Sequence, residues 1–277
     1  MEHMIQGLPV ITGPQWPGVH YFCTTRAGGV GVTPHDTLNL GFRAGDASET
    51  VQENRRRVRA VVPTDPLWLR QVHGTEVIDA DQASSAVGTD EFDSSGQAAT
   101  RRSSSVADLL PGEFAADASV TSACGRVLAI MVADCLPVFM TDLDGTVVGA
   151  AHAGWRGLAG GVLENTLQRL RAKAPDARGW RAWVGPGIGP NHFEVGDDVR
   201  AAFSPLGTDA LACFTPRSGH PGKWWADLPA LALLRLRRAG VEDVHACGLC
   251  TASAPERFFS YRRDGVTGRM ALLAWRE

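Results

Sequence analysis

The sequence predicts an α+β fold in which mixed β-sheets pack with flanking helices, as one domain over residues 1–277. Two observations support this fold class. Segments with strand composition outnumber segments with helix signals, and the dipeptide Asp144-Gly145 between two apolar runs is a strong hairpin signal. A hairpin is antiparallel, so a mixed sheet is favoured over a doubly wound parallel sheet.

The predicted strands are short apolar runs rich in β-branched and aromatic residues. They are residues 20–26, 67–73, 127–133, 138–141, 147–152, 181–184, 245–250 and 270–275.

Helix signals are fewer. Asp46 with Glu49 three residues later resembles a capping box at the start of a first helix. Residues 158–172 carry leucines at helical spacing and predict a second helix. Asp227 can cap a third helix, which Gly240 ends.

Residues 83–111 differ from the rest of the chain, because they are rich in Ser, Ala and Gly and contain few large apolar groups. This composition predicts a long, flexible surface insertion. A linker between two domains is disfavoured, because side chains that could bind one metal ion lie on both sides of the segment: His73 precedes it, and Cys135 and His152 follow it.

Composition narrows the class of protein. A net charge of −3 argues against a nucleic-acid partner that needs bulk positive charge, and no apolar run is long enough to cross a bilayer. The N-terminus lacks the basic and apolar regions of a signal peptide. We therefore expect a cytoplasmic protein without nucleic-acid or membrane partners. A monomer and a homodimer both remain open.

Three distant segments each offer one metal-binding side chain in a setting marked by glycine or aspartate: His73, Cys135 and His152. A lone histidine is more often structural than a ligand, and a free cysteine often behaves as a small buried hydrophobe. Together, however, the three form a Cys/His₂ set. Zinc with three protein ligands keeps a fourth position for water, which is the catalytic arrangement.

The hairpin relates two of these ligands. If residues 144–145 are the two central residues of a type I′ turn, His152 faces Pro137 and Cys135 faces Gly154. Cys135 and His152 then lie on one face of the sheet as diagonal neighbours, close enough to bind one ion.

The longest motifs resemble those of one family, the YfiH-type laccase-domain family, and the match covers nearly the whole chain in order. They are TTRAGGVG (24–31), NLG (39–41), RQVHGTEV (70–77), ADASVT (116–121), VADCLPV (132–138), AAHAGWRGLAGGVLENT (150–166), VGPGIGP (184–190), FEVG (193–196), KWWADLPAL (223–231), GLCT (248–251) and RFFSYRRDGVTGRMA (257–271).

The resemblance implies an α+β fold of mixed sheets and a zinc ion bound by His73, Cys135 and His152. The family is described as polyphenol oxidases, but its better-supported activity is phosphorolysis of adenosine, inosine, guanosine and methylthioadenosine, with adenosine deamination. Where relatives carry further cysteines, this chain has Asn191-His192-Phe193 and Cys250-Thr251-Ala252-Ser253. These departures remove thiols that a copper site would use, so zinc is favoured and copper is the weaker alternative.

We therefore expect a zinc-dependent purine nucleoside phosphorylase with adenosine deaminase capacity, whose partners are a purine nucleoside and phosphate. Arg26 and Arg156 are candidates to anchor phosphate or substrate, because a guanidinium offers a fork of donors. Asn39 and Gln71 are candidate hydrogen-bonding contacts. Asp134, adjacent to the cysteine, is a candidate to orient a ligand.

Three other hypotheses remain. A copper-dependent polyphenol oxidase would need a further copper cluster that the sequence does not show. A metal-free hydrolase with Cys135 as nucleophile and His152 as base would leave His73 without a role. A non-enzymatic binding partner of a cell-wall or division complex would retain the fold alone, and the intact set of candidate residues argues against it.

Overall fold

The computed structural model describes residues 2–83 and 113–277. The described strands are β1 (Glu2–Ile5), β2 (Leu8–Ile11), β3 (Val19–Thr24), β4 (Leu69–Arg70), β5 (Val77–Asp79), β6 (Phe114–Ala115), β7 (Ala118–Thr121), β8 (Leu128–Val132), β9 (Leu136–Asp142), β10 (Val148–Ala153), β11 (Trp180–Val184), β12 (Glu194–Gly196), β13 (Phe214–Pro216), β14 (Lys223–Ala226), β15 (Asp243–Ala246) and β16 (Met270–Arg276). The described α-helices are α1 (Ser48–Arg59), α2 (Ala80–Ala83), α3 (Trp155–Gly160), α4 (Val162–Lys173), α5 (Asp197–Phe203), α6 (Thr208–Leu211), α7 (Leu228–Arg238) and α8 (Tyr261–Asp264).

The described strands form two large sheets and two small ones. The large sheets have the orders β1-β2-β3-β16-β8 and β15-β11-β9-β10-β7-β5, and the small ones are β12-β14-β13 and β4-β6. The six-stranded sheet is mixed, because β15 and β5 at its edges pair in parallel while its inner strands are antiparallel. The predicted α+β class with mixed sheets is confirmed.

The two large sheets pack face to face. Tyr21 and Ile130 of the five-stranded sheet share a buried cluster with Phe139 and Trp183 of the six-stranded sheet. The rings of Tyr21 and Phe139 stack with their centroids 4.3 Å apart. Burial of these aromatic groups supplies much of the apolar area that holds the two sheets together.

Helices cover the outer faces of the sheets. Leu163 and Leu167 of α4 and Leu231 of α7 lie in the core cluster on the outer side of the six-stranded sheet. Val58 of α1 packs with Phe22 against the outer side of the five-stranded sheet. The layer order is therefore helix, sheet, sheet, helices.

The predicted hairpin register is confirmed, but the predicted turn is wrong. Strands β9 and β10 pair with His152 opposite Pro137, as the sequence indicates. A type I′ turn needs φ > 0 at both central residues, yet only Gly145 has one (φ 68°) and Asp144 does not. Instead, the Asp142 carboxylate accepts hydrogen bonds from the backbone N–H groups of Thr146 and Val147, later in the loop. This side chain stabilises a longer connection without changing the register.

The three predicted helices exist with different boundaries. The capping box is wrong, because the residue before α1 is Ala47, which makes no side-chain cap, and Asp46 accepts a hydrogen bond from the Ala47 N–H instead. The second predicted helix is interrupted at Gly161, whose φ of 101° breaks it into α3 and α4. The cap of α7 is confirmed, because the Asp227 carboxylate accepts from Ala230 N–H.

Several short strands escape the sequence analysis, including the N-terminal hairpin of β1 and β2 and the three-stranded sheet of β12, β13 and β14. Strands of three or four residues are too short to show a clear alternating pattern. The predicted insertion 83–111 lies outside the described residues, apart from Ala83 at the end of α2. Within the described ranges, no helix has both the length and the apolar character needed to span a membrane.

Candidate metal centre and its cavity

The side chains of His73, Cys135 and His152 converge, as the sequence predicts. One ligand atom from each lies within 4.8 Å of the other two. The imidazole rings of His73 and His152 meet edge to face, with centroids 4.8 Å apart. Zinc bonds to nitrogen and sulfur are roughly 2.0–2.3 Å long, so one ion can reach all three atoms. We call these three residues the metal cluster.

The strand register explains how the two hairpin residues meet. Val148 and Ala150 of β10 point into the core between the two large sheets. Side chains alternate along a strand, so His152 lies on this same face, near the end of the sandwich. Cys135 immediately precedes β9 and lies opposite Gly154, which is consistent with the predicted register.

Gly154 leaves the room that the cluster needs. A Cβ atom at this position would lie 2.9 Å from the Cys135 Sγ atom and 3.1 Å from the His73 Cδ2 atom. Both distances are shorter than ordinary contacts. A side chain at position 154 would therefore displace two members of the cluster.

Asp117, just before β7, holds two members of the cluster. Its fully buried carboxylate accepts hydrogen bonds from the backbone N–H groups of Val72 (3.1 Å), His73 (2.9 Å) and Gly74 (2.7 Å). These bonds hold His73 in a left-handed backbone conformation with φ 60°. Asp117 Oδ1 also accepts from His152 Nδ1 at 2.8 Å, which leaves the other ring nitrogen to face the cluster.

The charges within the cluster are coupled. Burial raises the pKa of the Cys135 thiol, but the adjacent His152 and His73 more than offset this effect and lower the pKa to about 6. Burial lowers the pKa of His152, but Cys135 and Asp117 raise it to about 9. The sulfur is therefore a thiolate near neutral pH, which is the form that binds metals.

The donor set suits a metal ion. One thiolate and two imidazoles are typical ligands of zinc, and the same atoms also suit copper. Burial opposes ionisation of Asp117, but the hydrogen bond and charge of His152 and the backbone N–H groups lower the Asp117 pKa. Its carboxylate therefore stays negative and supports a cationic site.

A cavity of about 480 Å³ opens onto the metal cluster. This volume lies within the range of small-molecule sites. Its aromatic lining residues are Phe42, Trp155, Phe193 and Tyr261. Its arginine lining residues are Arg43, Arg55, Arg70, Arg156, Arg262 and Arg269. Aromatic faces can stack on a base, and guanidinium groups can bind anions.

Gln71 and Arg156, two of the predicted site residues, line the cavity. The Gln71 side chain is engaged with backbone, because its Nε2 donates to the Met131 carbonyl and its Oε1 accepts from the Met131 N–H, both at 2.7 Å. Arg156 is exposed and its guanidinium lies 4.3 Å from the Trp155 ring centre. The Gln71 side chain therefore helps to form the cavity wall, whereas the Arg156 side chain is exposed to the cavity.

Asp134 also lines the cavity but does not orient a cluster ligand. Its carboxylate accepts hydrogen bonds from the Thr251 hydroxyl and the Arg262 backbone N–H, both at 2.6 Å. The carboxylate that orients His152 is Asp117 instead. Asp134 ties the segment before Cys135 to the C-terminal loops.

The structure does not bring Arg26 and Asn39 to the cavity lining. Arg26 donates to the carbonyls of Asp36 (2.8 Å) and Pro255 (2.7 Å), so it joins two loops. Asn39 is buried, and its Oδ1 accepts from the Arg269 backbone N–H at 2.9 Å. Asn39 therefore supports a lining residue from behind.

Asp117 and Arg55 are two residues of the site that no sequence pattern predicts. Asp117 lies within the ADASVT segment, whose position next to a strand gave no hint of its partners. Arg55 is one of three consecutive arginines in α1, and nothing in the sequence separates it from its neighbours.

The fold and site define an α+β protein with a Cys/His₂ cluster in the lining of a cavity that several arginines also line. The family model described as multi-copper polyphenol oxidoreductase laccase matches residues 20–277. The chain belongs to this family, the YfiH-type laccase-domain proteins.

Relatives of known name cover almost all of the chain. A Xylella fastidiosa protein named purine nucleoside phosphorylase is 45% identical over 270 residues, covering 95% of this chain and 94% of the relative. The Escherichia coli protein named purine nucleoside phosphorylase YfiH is 43% identical over 267 residues, covering 95% of this chain and 97% of the relative.

Solved structures of relatives have the same fold. A Neisseria meningitidis protein is 40% identical with a TM-score of 0.80, covering 97% of this chain and 98% of that one. YlmD from Geobacillus stearothermophilus is 28% identical with a TM-score of 0.81, covering 99% of this chain and 98% of that one.

Proposed function

We propose that this protein is a zinc-dependent purine nucleoside phosphorylase with adenosine deaminase capacity. Its substrates would be adenosine, inosine, guanosine and methylthioadenosine, together with phosphate. The observation that carries the proposal is one cavity bordered by both a Cys/His₂ cluster and several arginines. The names of the relatives at 43–45% identity support the purine nucleoside phosphorylase part of the proposal.

Phosphorolysis makes clear demands on such a cavity. A phosphate oxygen forms a bond to C1′ of the ribose, the bond from C1′ to N9 breaks, and the purine leaves with the electron pair and gains a proton. The site must therefore bind an anion beside a neutral nucleoside. The aromatic and arginine lining matches these two needs.

Arg156 remains the exposed candidate for substrate anchoring. Its contact with Trp155 is a stacking contact, and it forms no ion pair with a carboxylate in the part of the chain that the structure describes. An unneutralised guanidinium can strengthen its contact as negative charge develops on the purine or phosphate.

The residues that would hold zinc are His73, Cys135 and His152. Zinc there would supply a Lewis acid and lower the pKa of a bound water, which is the chemistry that deamination at C6 of adenosine requires. Asp117 fixes the ring orientation of His152 through the bond to Nδ1. Near neutral pH the Cys135 sulfur is already a thiolate, whereas the His152 ring, whose pKa is raised to about 9, must lose one proton before it can bind the ion.

Two competing hypotheses have specific support. The family description favours copper and phenol oxidation, but the described residues contain one cluster of three or more metal-binding side chains, not several. The thiolate beside His152 would suit a cysteine nucleophile with a histidine base. That hypothesis gives no role to His73, which Asp117 holds against the same two groups.

Product analysis tests the proposal. Protein of known metal content is incubated with adenosine, with and without phosphate, and the products are separated by chromatography. We expect adenine and ribose-1-phosphate when phosphate is present, and inosine in either condition, with hypoxanthine formed from the inosine when phosphate is present. Adenosine that is not consumed, or adenine that forms equally well without phosphate, would contradict the phosphorylase assignment.

A phenol substrate serves as the comparison in the same experiment. Oxygen uptake with a phenol, together with no phosphate-dependent reaction of adenosine, would favour the copper oxidase instead.

A further inference from the structure

Arg55 is the cavity arginine that packs against two aromatic rings among the described residues. Its guanidinium lies between two aromatic rings, 4.5 Å from the Phe42 ring centre and 3.9 Å from the Trp68 ring centre. Because the rings pack against the guanidinium group, its edges are left for hydrogen bonds. Arg156, by contrast, rests on a single ring and is exposed.

The two edges of Arg55 are used unequally. Its Nε donates to the Leu40 carbonyl at 2.9 Å, and one Nη2 hydrogen is directed at the Met131 sulfur at 3.7 Å, which is a weak acceptor. Its Nη1 makes no hydrogen bond within the described residues and is not enclosed by protein. The edge formed by Nη1 and Nη2 is therefore open at a residue that lines the cavity.

No carboxylate neutralises Arg55 directly in the described ranges. The nearby acid Glu113 instead forms hydrogen bonds with Arg43, at 2.9 Å and 2.7 Å. Burial lowers the pKa of Arg55 to about 10, so the side chain remains charged at neutral pH. A partly buried cation without a bound acid is unfavourable unless an anion binds to it.

Arg55 is also tied to the segments that carry the metal cluster. Met131, which contacts Arg55, lies four residues before Cys135. Gln71 holds both backbone groups of Met131 and lies two residues before His73. The position of the Arg55 edge is thus fixed relative to the cluster.

We infer that Arg55 is the fixed anchor for inorganic phosphate in this cavity, through the fork of its open Nη1 and Nη2 edge. The inference rests on the proposed function for the identity of the anion. A fork of two donors in one plane matches two oxygens of a phosphate. A guanidinium already locked between two rings loses little conformational entropy when the phosphate binds. Arg156 is then left to contact the nucleoside.

Calorimetric titration of inorganic phosphate into the metal-loaded protein tests this role without requiring turnover. Arg55→Gln removes the charge and should raise the phosphate Kd by about tenfold or more, the effect of losing a charged hydrogen bond. Arg55→Lys keeps the charge but loses the fork and should have an intermediate effect. Arg156→Gln should raise the phosphate Kd less than Arg55→Gln.

Arg56→Gln is the matched control. Arg56 lies next along α1 but is exposed and pairs with Glu53, so its loss should leave phosphate binding unchanged. Circular dichroism and thermal unfolding show whether each variant is folded. If Arg55→Gln does not fold, the comparison is made between Arg55→Lys and the wild type.

The results separate the anchor from the activity. A folded Arg55→Gln protein with the wild-type phosphate Kd and phosphate KM, or a wild-type protein that binds no phosphate, would overturn the inference. Phosphorolysis by wild-type protein would still stand in the first case. Conversely, phosphate binding that depends on Arg55 in a protein that consumes no nucleoside would support the anchor and contradict the proposed function.

Discussion

The metal cluster and the Arg55 anchor border the same cavity, but they hold their charges by different means. In the cluster, a buried carboxylate, Asp117, binds a histidine ring and three backbone N–H groups. At Arg55, aromatic rings and a carbonyl hold the cation and no carboxylate pairs with it among the described residues. The first arrangement is suited to a cation, whereas the second leaves a positive charge for an anion.

The difference shows how one cavity can bind two kinds of partner. The negative charge of the Asp117 carboxylate, close to Cys135 and His152, favours binding of a metal ion. At Arg55, the lack of a carboxylate partner among the described residues favours the binding of phosphate. Substitutions in the cluster should therefore affect the metal first, and substitutions at Arg55 should affect phosphate with the metal retained.

Substitution of the cluster ligands should have the largest effect. Cys135→Ala, His152→Ala and His73→Ala each remove one of three bonds to the ion, so each should lose most of the bound metal and about 100-fold or more of nucleoside turnover. Metal content by elemental mass spectrometry and initial rates measure both effects. Cys124→Ala, at an exposed thiol, is the control.

The same set distinguishes a zinc site from a cysteine nucleophile. A nucleophilic Cys135 with His152 as base would make His73→Ala mild, and thiol alkylation would abolish activity without releasing metal. An active, metal-free His73→Ala enzyme would exclude the zinc mechanism.

The support behind the cluster should have a smaller effect. Asp117→Asn keeps the shape of the side chain but replaces the charged carboxylate that accepts a hydrogen bond from His152 Nδ1. Metal affinity should therefore fall by about 10- to 100-fold. Competition with a zinc chelator measures this affinity. Phosphate binding should change far less, since the hydrogen bonds of the Asp117 carboxylate go to His152 and to the backbone of residues 72–74. Equal losses of metal and phosphate would indicate that the two regions are not separate.

The smallest predicted effect concerns fold stability and comes from an acid-sensitive contact outside the cavity. It shows how a substitution away from both regions behaves. Lys173 donates to the Asp81 carboxylate at 2.7 Å. Burial raises the Asp81 pKa, but Lys173 and the hydroxyls of Thr121 and Ser122 more than offset this effect and lower it below its usual range. The ionised contact therefore stabilises the fold above the unfolded pKa of 3.8 and is lost as pH falls through the folded pKa.

Asp81→Asn should accordingly lower the free energy of unfolding by a constant amount above about pH 5, and the difference from wild type should shrink as the pH falls further. Denaturant unfolding at a series of pH values measures it. The exposed Asp65→Asn variant is the control. A difference that grows in acid would show that Asp81 is not ionised in the folded state.

The metal cluster could be predicted from the sequence for a specific reason. Strand periodicity and one turn signal fix which face His152 occupies, and the register does not depend on the exact turn type. The capping-box error at Asp46 and the break at Gly161 changed helix boundaries but not the register of the hairpin.

The remainder of the site depends on contacts between segments that no local pattern relates. Asp117 reaches Gly74 and His152 across long stretches of chain. Arg55 looks like its helical neighbours until Phe42 and Trp68 are placed around it. Arg26 carries the same chemistry as Arg55 but is used to join loops. Residue type alone therefore could not separate the arginines that line the cavity from those that join loops.

The metal content of the purified wild-type protein is the most direct test of the central claim. The cluster of His73, Cys135 and His152 predicts one zinc ion per chain, which is released together with activity when a chelator removes it and is absent from His73→Ala. Elemental mass spectrometry beside a protein concentration measurement gives this ratio. Copper as the bound metal, or full activity in protein shown to contain no metal, would contradict the account.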